Sequence, residues 1–573
     1  MECHLEQKSP GSISYPAAII IALLIAWLLP GLVGRDLWKA DEPYSFGLVN
    51  HILTSGDLVV PDLAGEPFME KPPLYFISAA ASAKFFSRWL EPHDASRMAS
   101  AWYMLLTFLF IGLAAHELFG KECGILAVLI LAGSSGLQIT AHKLITDVAL
   151  LTGFAAALYG LALSRRRAAL GGLWLGTGIG IGFLSKGLLA PGVIGLAALT
   201  LPLLFRAWRT KNHLIAMLVA AFAALPWLLI WPLALYLRSP ELFNEWFWNQ
   251  NIGRFFGHAH EKDMIRYGHY LSLLPWFALP ALPLALTLLW RSRRAWIERH
   301  SIQLPLTLFM IMLFVLSMSA SDRDLYALPM LLPLSLLAAK GAAMLSRKTA
   351  AALSSSSILL FGLLACLLWA GWASLVTGRP ALLSAMLYDS RPDYQPGVSL
   401  ALLVPAAAYS LAWILLTYSR KPSVFQPLIS WTSGITLLWG LLMTLWLPWL
   451  DAGSGYKHVL TPLRESLPSQ YGEIASRGVG ESERAMLEYY AGIETKRLEI
   501  HPDQDSDLLL IETGGPDQDT RGIPAPSEWR KLWEGKRHVD QKRAKETFAL
   551  YQRIKARHAR TTVQASLGPP LQP

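Results

Sequence analysis

Two adjacent carboxylates, Asp41 and Glu42, followed by Pro43, stand directly after the first apolar run of the chain. Such a pair can serve as general base for an incoming acceptor, bind a metal ion, or cap the helix that Pro43 begins. Glu70 and Lys71 precede a diproline, Pro72-Pro73. A lysine fixed near a bilayer surface by two rigid prolines is placed to meet a lipid phosphate; the simpler alternative is a stem lying along apolar surface. Asp147 begins another apolar run, as a cap or as a working carboxylate. Lys186 lies where two hydrophobic stretches meet almost without a loop, and a charge there needs a partner, either a substrate phosphate or a carboxylate such as Asp147. Residues 244–270, NEWFWNQNIGRFFGHAHEKDMIRYGHY, gather aromatic rings with Arg254, His258, His260, Tyr267, His269 and Tyr270. The segment reads either as an interfacial belt or as a pocket whose guanidinium forks a phosphate. Its histidines lack the compact spacing of a zinc site. Arg323, between Asp322 and Asp324 and followed by Tyr326, is either locally paired or a second phosphate contact.

What must position these groups is a bilayer. Hydrophobic residues make up 53% of the chain and charged ones only 16%, a balance that excludes a soluble globular protein. The net charge of +9 comes as short clusters between apolar runs. It therefore reports topology and anionic headgroups, and the lack of a continuous basic face speaks against nucleic acid. Cys3, Cys123 and Cys366 are too scattered for a disulfide framework or a cysteine metal site.

Apolar stretches near 14–33, 98–115, 123–142, 147–163, 170–185, 187–205, 213–236, 270–290, 303–320, 325–344, 352–376, 398–418 and 427–449 predict an α-helical polytopic membrane protein of about thirteen transmembrane helices. The first is expected to be retained, because no small-residue cleavage site follows it. Basic clusters at 165–167, 206–211, 291–294, 340–348 and 420–421 fall in alternate loops, as cytoplasmic connections do. That parity sends Asp41, Lys71, Asp147, Lys186, the 238–269 loop, Arg323 and everything after 450 to the opposite face. It holds if 73–86, too short for a bilayer of about 30 Å, is interfacial or re-entrant. Residues 1–450 then form a membrane domain with 34–97 as its first external loop. Residues 451–573 form a soluble domain, where a helical pattern at 482–490 ending at Gly492 and an apolar strand at 508–511 predict a small α/β module with a disordered end. Glycines at 176–182 sit inside an apolar span and suit close helix packing, not a nucleotide loop.

Taken in order, DEP at 41–43, SGD with VP at 55–61, EKPP at 70–73, TD at 146–147, SKG at 185–187, N-x-x-R-F at 251–255, His260 and R-x-x-Y-x-L-P at 323–329 carry a resemblance. The chain resembles the membrane glycosyltransferases that use polyprenyl-phosphate sugars, in particular the bacterial 4-amino-4-deoxy-L-arabinose lipid A transferases and their protein-mannosyltransferase-like relatives. The resemblance implies a C-type glycosyltransferase fold in the bacterial inner membrane, with its active site and C-terminal domain on the periplasmic face. The implied reaction is inverting transfer of a sugar from an undecaprenyl-phosphate donor to lipid A or a related glycolipid. Asp41 would be the principal catalytic carboxylate, with Asp147 its partner and Glu42 beside it. Glu70, Lys71, Lys186, Arg254, His260, Arg323 and Tyr326 would hold substrate, and a divalent metal is left open. Two positions depart from the family pattern: Tyr44-Ser45 stand where Arg-Tyr usually follow DEP, and Asp322 stands where a lysine usually precedes Arg323. The competing readings are a lipid-linked sugar flippase, or a related transferase acting on protein or another glycan. A transporter normally shows internal repeats and ionisable groups at mid-membrane depth, whereas the candidates here gather on one face.

Overall fold

The computed structural model describes residues 17–254, 256, 268–293, 298–319, 323–391, 394–418, 423–514, 528–538 and 545–554. These divide into two compact units that meet in sequence at Ala452 and Gly453.

The first unit is helical. It begins with α1 (Ala17–Leu28), α2 (Asp41–Ser55), a two-stranded ribbon of β1 (Asp62–Leu63) and β2 (Glu66–Pro67), α3 (Leu74–Phe86), α4 (Pro92–Phe119), α5 (Lys121–Ala132) and α6 (Ser135–Thr140). It continues through α7 (Thr146–Ser164), α8 (Ala168–Lys186), α9 (Leu189–Leu204), α10 (Lys211–Arg238) and α11 (Pro240–Asn244). After a π-helical turn at Glu245–Gly253 come α12 (His269–Phe277), α13 (Ala281–Arg291), α14 (His300–Ser317), a 3-10 turn at Asp324–Met330 and α15 (Leu331–Ala343). The unit closes with α16 (Arg347–Thr377), α17 (Ala381–Ser390), α18 (Leu400–Tyr418), α19 (Gln426–Leu442) and α20 (Leu447–Ser454), the last crossing the unit boundary.

Among the described residues, eight helices are long and apolar enough to cross a bilayer, and ten if each of two bent pairs is one span. The bends are 101° between α12 and α13 and 68° between α19 and α20. Proline and glycine account for the difference from the expected count. Helix α1 stops before Pro30 and Gly31, α5 and α6 separate at Gly133, and α12 gives way at Pro280. Helix α3 has only thirteen residues, roughly 20 Å of rise, short of the hydrocarbon thickness.

Helix α7 is almost wholly buried at the centre, flanked by α8 and α4, while α10 and α18 turn most of their surface outward. Exposed Leu218, Phe222, Ile230 and Leu237 on α10 suit a lipid environment. Lipid tails are as apolar as leucine, so these helices associate through close packing at small residues. Gly153 and Gly160 of α7 and Gly171 and Gly178 of α8 let the two backbones touch: a Cβ at Gly178 would lie 2.4 Å from the Ala157 nitrogen. On its other side, α8 offers Gly172 and Gly176 to α10. Basic loops meet in pairs, Arg165 donating to the Ala207 carbonyl (2.6 Å) and Arg291 to that of Met344.

In the second unit, α21 (Lys457–Glu465) and α22 (Glu481–Met486) accompany a five-stranded sheet ordered β4-β3-β5-β7-β6. The strands are β3 (Ile474–Arg477), β4 (Thr495–Arg497), β5 (Leu508–Thr513), β6 (Trp529–His538) and β7 (Lys545–Arg553). β3 runs parallel to β4 and β5, in the register Ser476 to Leu510, whereas β7 is antiparallel to β5 and β6. One face packs Ala475, Leu509 and Ile511 against Leu498, Trp529 and Tyr551. The helical pattern expected at 482–490 is α22 running into a π turn that ends at Gly492 in the left-handed region.

Candidate active site

Helix α2 starts at Asp41, and its N-terminal dipole favours both carboxylates of the first turn. Adjacent positions on a helix are turned by about 100°, so the two side chains go to different places. Glu42 is fully buried and accepts from Arg35 (2.6 and 2.7 Å), Arg97 (3.1 Å) and the backbone nitrogens of Leu144 (2.9 Å) and Trp38 (3.1 Å). Arg97 also donates to Asp94 (2.6 Å) and to the Arg35 and Asp36 carbonyls, and Arg35 to the His142 carbonyl. This network fastens the start of α2 to α4 and to the turn ahead of α7. Burial alone would raise the Glu42 carboxyl; the two guanidiniums outweigh it and hold the group well below the usual range.

Asp41 points the other way; both its carboxylate oxygens accept from one Arg323 nitrogen (2.9 and 3.0 Å), and Oδ1 also accepts from the Tyr44 hydroxyl (3.3 Å). Burial again pushes upward and is overcome, here by Arg323 and Lys71, so Asp41 stays ionised below the ordinary aspartate value. Lys71 donates to the Tyr44 hydroxyl and lies 4.6 Å above its ring. Glu70 receives Arg254 at 3.0 Å. Asp147, in the first turn of α7, pairs with Lys186 in the last turn of α8, and the ammonium of Lys186 sits 4.3 Å over the Tyr326 ring.

Helix α8 can end abruptly after Lys186 because Gly187 has φ +69°, where a side chain is strained. A Cβ there would also strike Asn251, whose amide oxygen accepts from the Leu188 nitrogen at 3.0 Å. Asn251 thus ties the turn carrying Arg254 to the end of α8.

A cavity of about 450 Å³ opens among these groups. One wall is charged, from Glu70, Lys71, Lys186, Arg254 and Arg323 with Tyr326. The other is apolar, from Leu189, Val193 and Leu196 of α9 and Val315 and Leu316 of α14. A ligand fitting both walls carries an anionic group on a hydrocarbon chain.

Three comparisons bear on this architecture. The family model for dolichyl-phosphate-mannose-protein mannosyltransferases matches residues 70–231. An undecaprenyl phosphate-alpha-4-amino-4-deoxy-L-arabinose arabinosyl transferase of Pseudomonas paraeruginosa is 31% identical over 453 residues, 74% of each chain. The chain belongs to this glycosyltransferase family. A second arabinosyl transferase, from Serratia proteamaculans, is 30% identical over 341 residues, 56% of this transferase and 58% of that one. The crystal structure of ArnT from Cupriavidus metallidurans bound to undecaprenyl phosphate shares the fold, with TM-score 0.68, 16% identity, and 93% and 97% of the two chains covered.

The transferase brings Asp41, Glu70, Lys71, Asp147, Lys186, Arg254, Arg323 and Tyr326 around one cavity, and sets Glu42 behind it in the arginine network. His260, with His258, Tyr267 and Asp322, lies outside the described residues. His269 pairs with Asp324 at 3.0 Å. Arg323 lines the cavity and pairs with Asp41, a carboxylate 282 positions away that was not among the local partners weighed for it. Of the two partners weighed for Lys186, the structure supplies the carboxylate, Asp147. Sequence reasoning did not assign roles to Arg35, Arg97, Tyr44 or Asn251; only the family departure at Tyr44 and the N-x-x-R-F pattern marked two of them. Among the described residues, the carboxylate trio that could converge on a metal is Glu483, Glu512 and Glu546 in the second unit, a set distinct from the carboxylates around the cavity. Arg537 and Tyr456 already donate to that trio.

Proposed function

We propose that the transferase moves one sugar from an undecaprenyl-phosphate donor to a lipid acceptor, with aminoarabinose the sugar that the names of its relatives suggest and lipid A the acceptor that the family resemblance implies. The acceptor hydroxyl oxygen attacks the anomeric carbon from the face opposite the phosphate. The new carbon–oxygen bond forms as the bond to the phosphate oxygen breaks, with inversion. Asp41 takes the hydroxyl proton, and the electron pair leaves on the polyprenyl phosphate. Lys71, Arg254 and Lys186 stabilise that phosphate; Arg323 and Tyr326 complete its surround, and His260 contributes a substrate contact from outside the described residues. Asp147 orients Lys186, Glu70 orients Arg254, and Glu42 fixes the frame that aims Asp41. The site and the C-terminal domain face the periplasm of a bacterial inner membrane.

The observation that carries this reading is the cavity with a cationic wall and an aliphatic wall meeting beside Asp41. The names of the relatives, and the undecaprenyl phosphate bound to ArnT, support it. Fixed cations beside a low-dielectric membrane stabilise a departing phosphate far better than water-exposed ones.

The test is mass spectrometry of glycolipids from cells carrying wild type, Asp41→Ala or Lys71→Ala at matched membrane levels. The expected result is a single-sugar mass increment in wild type that is lost in both variants; the size of the increment identifies the sugar. Products persisting in both variants would show the catalytic groups to be elsewhere.

A further inference from the structure

Tyr44 sits one turn into α2, with its side chain only 9% exposed and its ring stacked on Phe68 (5.6 Å between centroids, 24° between planes). Its hydroxyl does two things at once. The oxygen accepts a hydrogen bond from Lys71, and the proton is directed at Asp41, 3.3 Å away. The three side chains form one donor chain, from ammonium to phenol to carboxylate. A hydroxyl does this at a single atom, being donor and acceptor together. Arg323 and Lys143 also face Asp41, Glu70 faces the phenol, and Glu70 and Asp147 face Lys71, so the chain lies in a fixed field of charges from its neighbour Glu70 and from three other segments.

We propose that Tyr44 is a positioning residue that makes the basicity of Asp41 depend on whether the donor phosphate has engaged Lys71; this rests on the donor reading of Lys71 given above. In the empty site, Lys71 polarises the phenol, which strengthens its hydrogen bond to Asp41 and leaves the carboxylate a weak base. When a phosphate draws the ammonium away, the phenol loses its donor and its bond to Asp41 weakens, while a positive charge recedes from the carboxylate. Both changes raise the proton affinity of Asp41 once the sugar is in place. Tyr44 keeps its own proton throughout, since burial pushes its hydroxyl up to about 12. The proton that Asp41 then accepts is the acceptor hydroxyl's, and no other bond changes.

The test uses the full-length enzyme in nanodiscs with a synthetic undecaprenyl-phosphate aminoarabinose donor and lipid A. Acid limbs are compared for kcat/KM of the donor, which reports the free enzyme, and for kcat, which reports the loaded one. In wild type the kcat/KM limb is expected to lie below the kcat limb, by roughly 0.5–1 pH unit. Tyr44→Phe keeps the ring and removes the hydroxyl; it is expected to raise the kcat/KM limb towards the kcat limb and narrow the gap, the direct effect of the Lys71 charge remaining. Difluorotyrosine at position 44 has a more acidic phenol and nearly native shape, and is expected to widen the gap. This second protein carries the test alone if Tyr44→Phe fails to assemble. Limbs unmoved by both changes, or a raised donor KM with unmoved limbs, would overturn the proposal and leave Tyr44 as a rest for Lys71. Absence of any transfer by wild type would instead overturn the donor reading itself.

Discussion

A carboxylate that accepts five hydrogen bonds in a space closed to water has no lone pair to lend to a substrate, and this separates Glu42 from Asp41 although the two are neighbours in the chain. Replacing Glu42 by Gln would leave two buried guanidiniums undercompensated, at a cost of about 3–5 kcal/mol. Thermal unfolding in detergent should show that loss, with residual activity in whatever fraction stays folded. The sign with pH follows from the depressed carboxyl. Its stabilisation is complete above the ordinary glutamate value of about 4.3 and is lost as pH falls towards its folded value. The melting temperature of wild type should therefore drop more steeply below about pH 4.3 than that of Glu42→Gln. From the residue types alone, both carboxylates looked equally able to do chemistry, and only the family resemblance favoured Asp41. What distinguishes them is the turn of α2 and the positions of Arg35 and Arg97, which lie in separate elements and carry no local signature.

Between α7 and α10, helix α8 is held by contacts that leave no room for a side chain. A Cβ at Gly176 would fall 2.3 Å from the Ala220 carbonyl, whereas one at Gly195 of α9 meets nothing within 4 Å. Gly176→Leu must push α8 away from α10 and carry Lys186, at its C-terminal end, off the cavity wall. The expected cost is about 1–3 kcal/mol in stability with a larger relative fall in transfer rate, while Gly195→Ala should match wild type in both; paired melting and activity measurements decide. The glycine run was legible as a packing device because it lies within an apolar stretch. The bend at Pro280, the bend after Leu442 and the π-helical turn at Glu245–Gly253 were not, because hydropathy reports that a segment is apolar and says nothing about where tertiary contacts break it.

Across the membrane unit, three ion pairs join Asp41 to Arg323, Glu70 to Arg254 and Asp147 to Lys186, and the one cavity that Glu70, Lys186, Arg254 and Arg323 line brings the pairs together independently of any count of spans. The basic loops at 165–167 and 206–212 touch each other through Arg165, Ala207 and Asn212. In a protein stripped of its native cysteines, Ser87→Cys and Gln470→Cys should react with an impermeant maleimide from the periplasmic side, and Arg167→Cys only after the membrane is opened. Reaction of Arg167→Cys in intact cells would reverse the assigned orientation. The pairing of Asp41 with Arg323 also sets a clock for biosynthesis. Asp41 leaves the ribosome 282 residues before its partner, and at about 5–20 residues per second it waits between roughly 15 s and a minute for the guanidinium that will hold it. A nascent or truncated chain that stops short of α14 already has its acidic and basic groups across the membrane but no completed wall to bind a phosphate. The enzyme therefore comes into being only past the midpoint of its own insertion, and a copy stopped before that point has no means of drawing on the cell's supply of lipid-linked sugar.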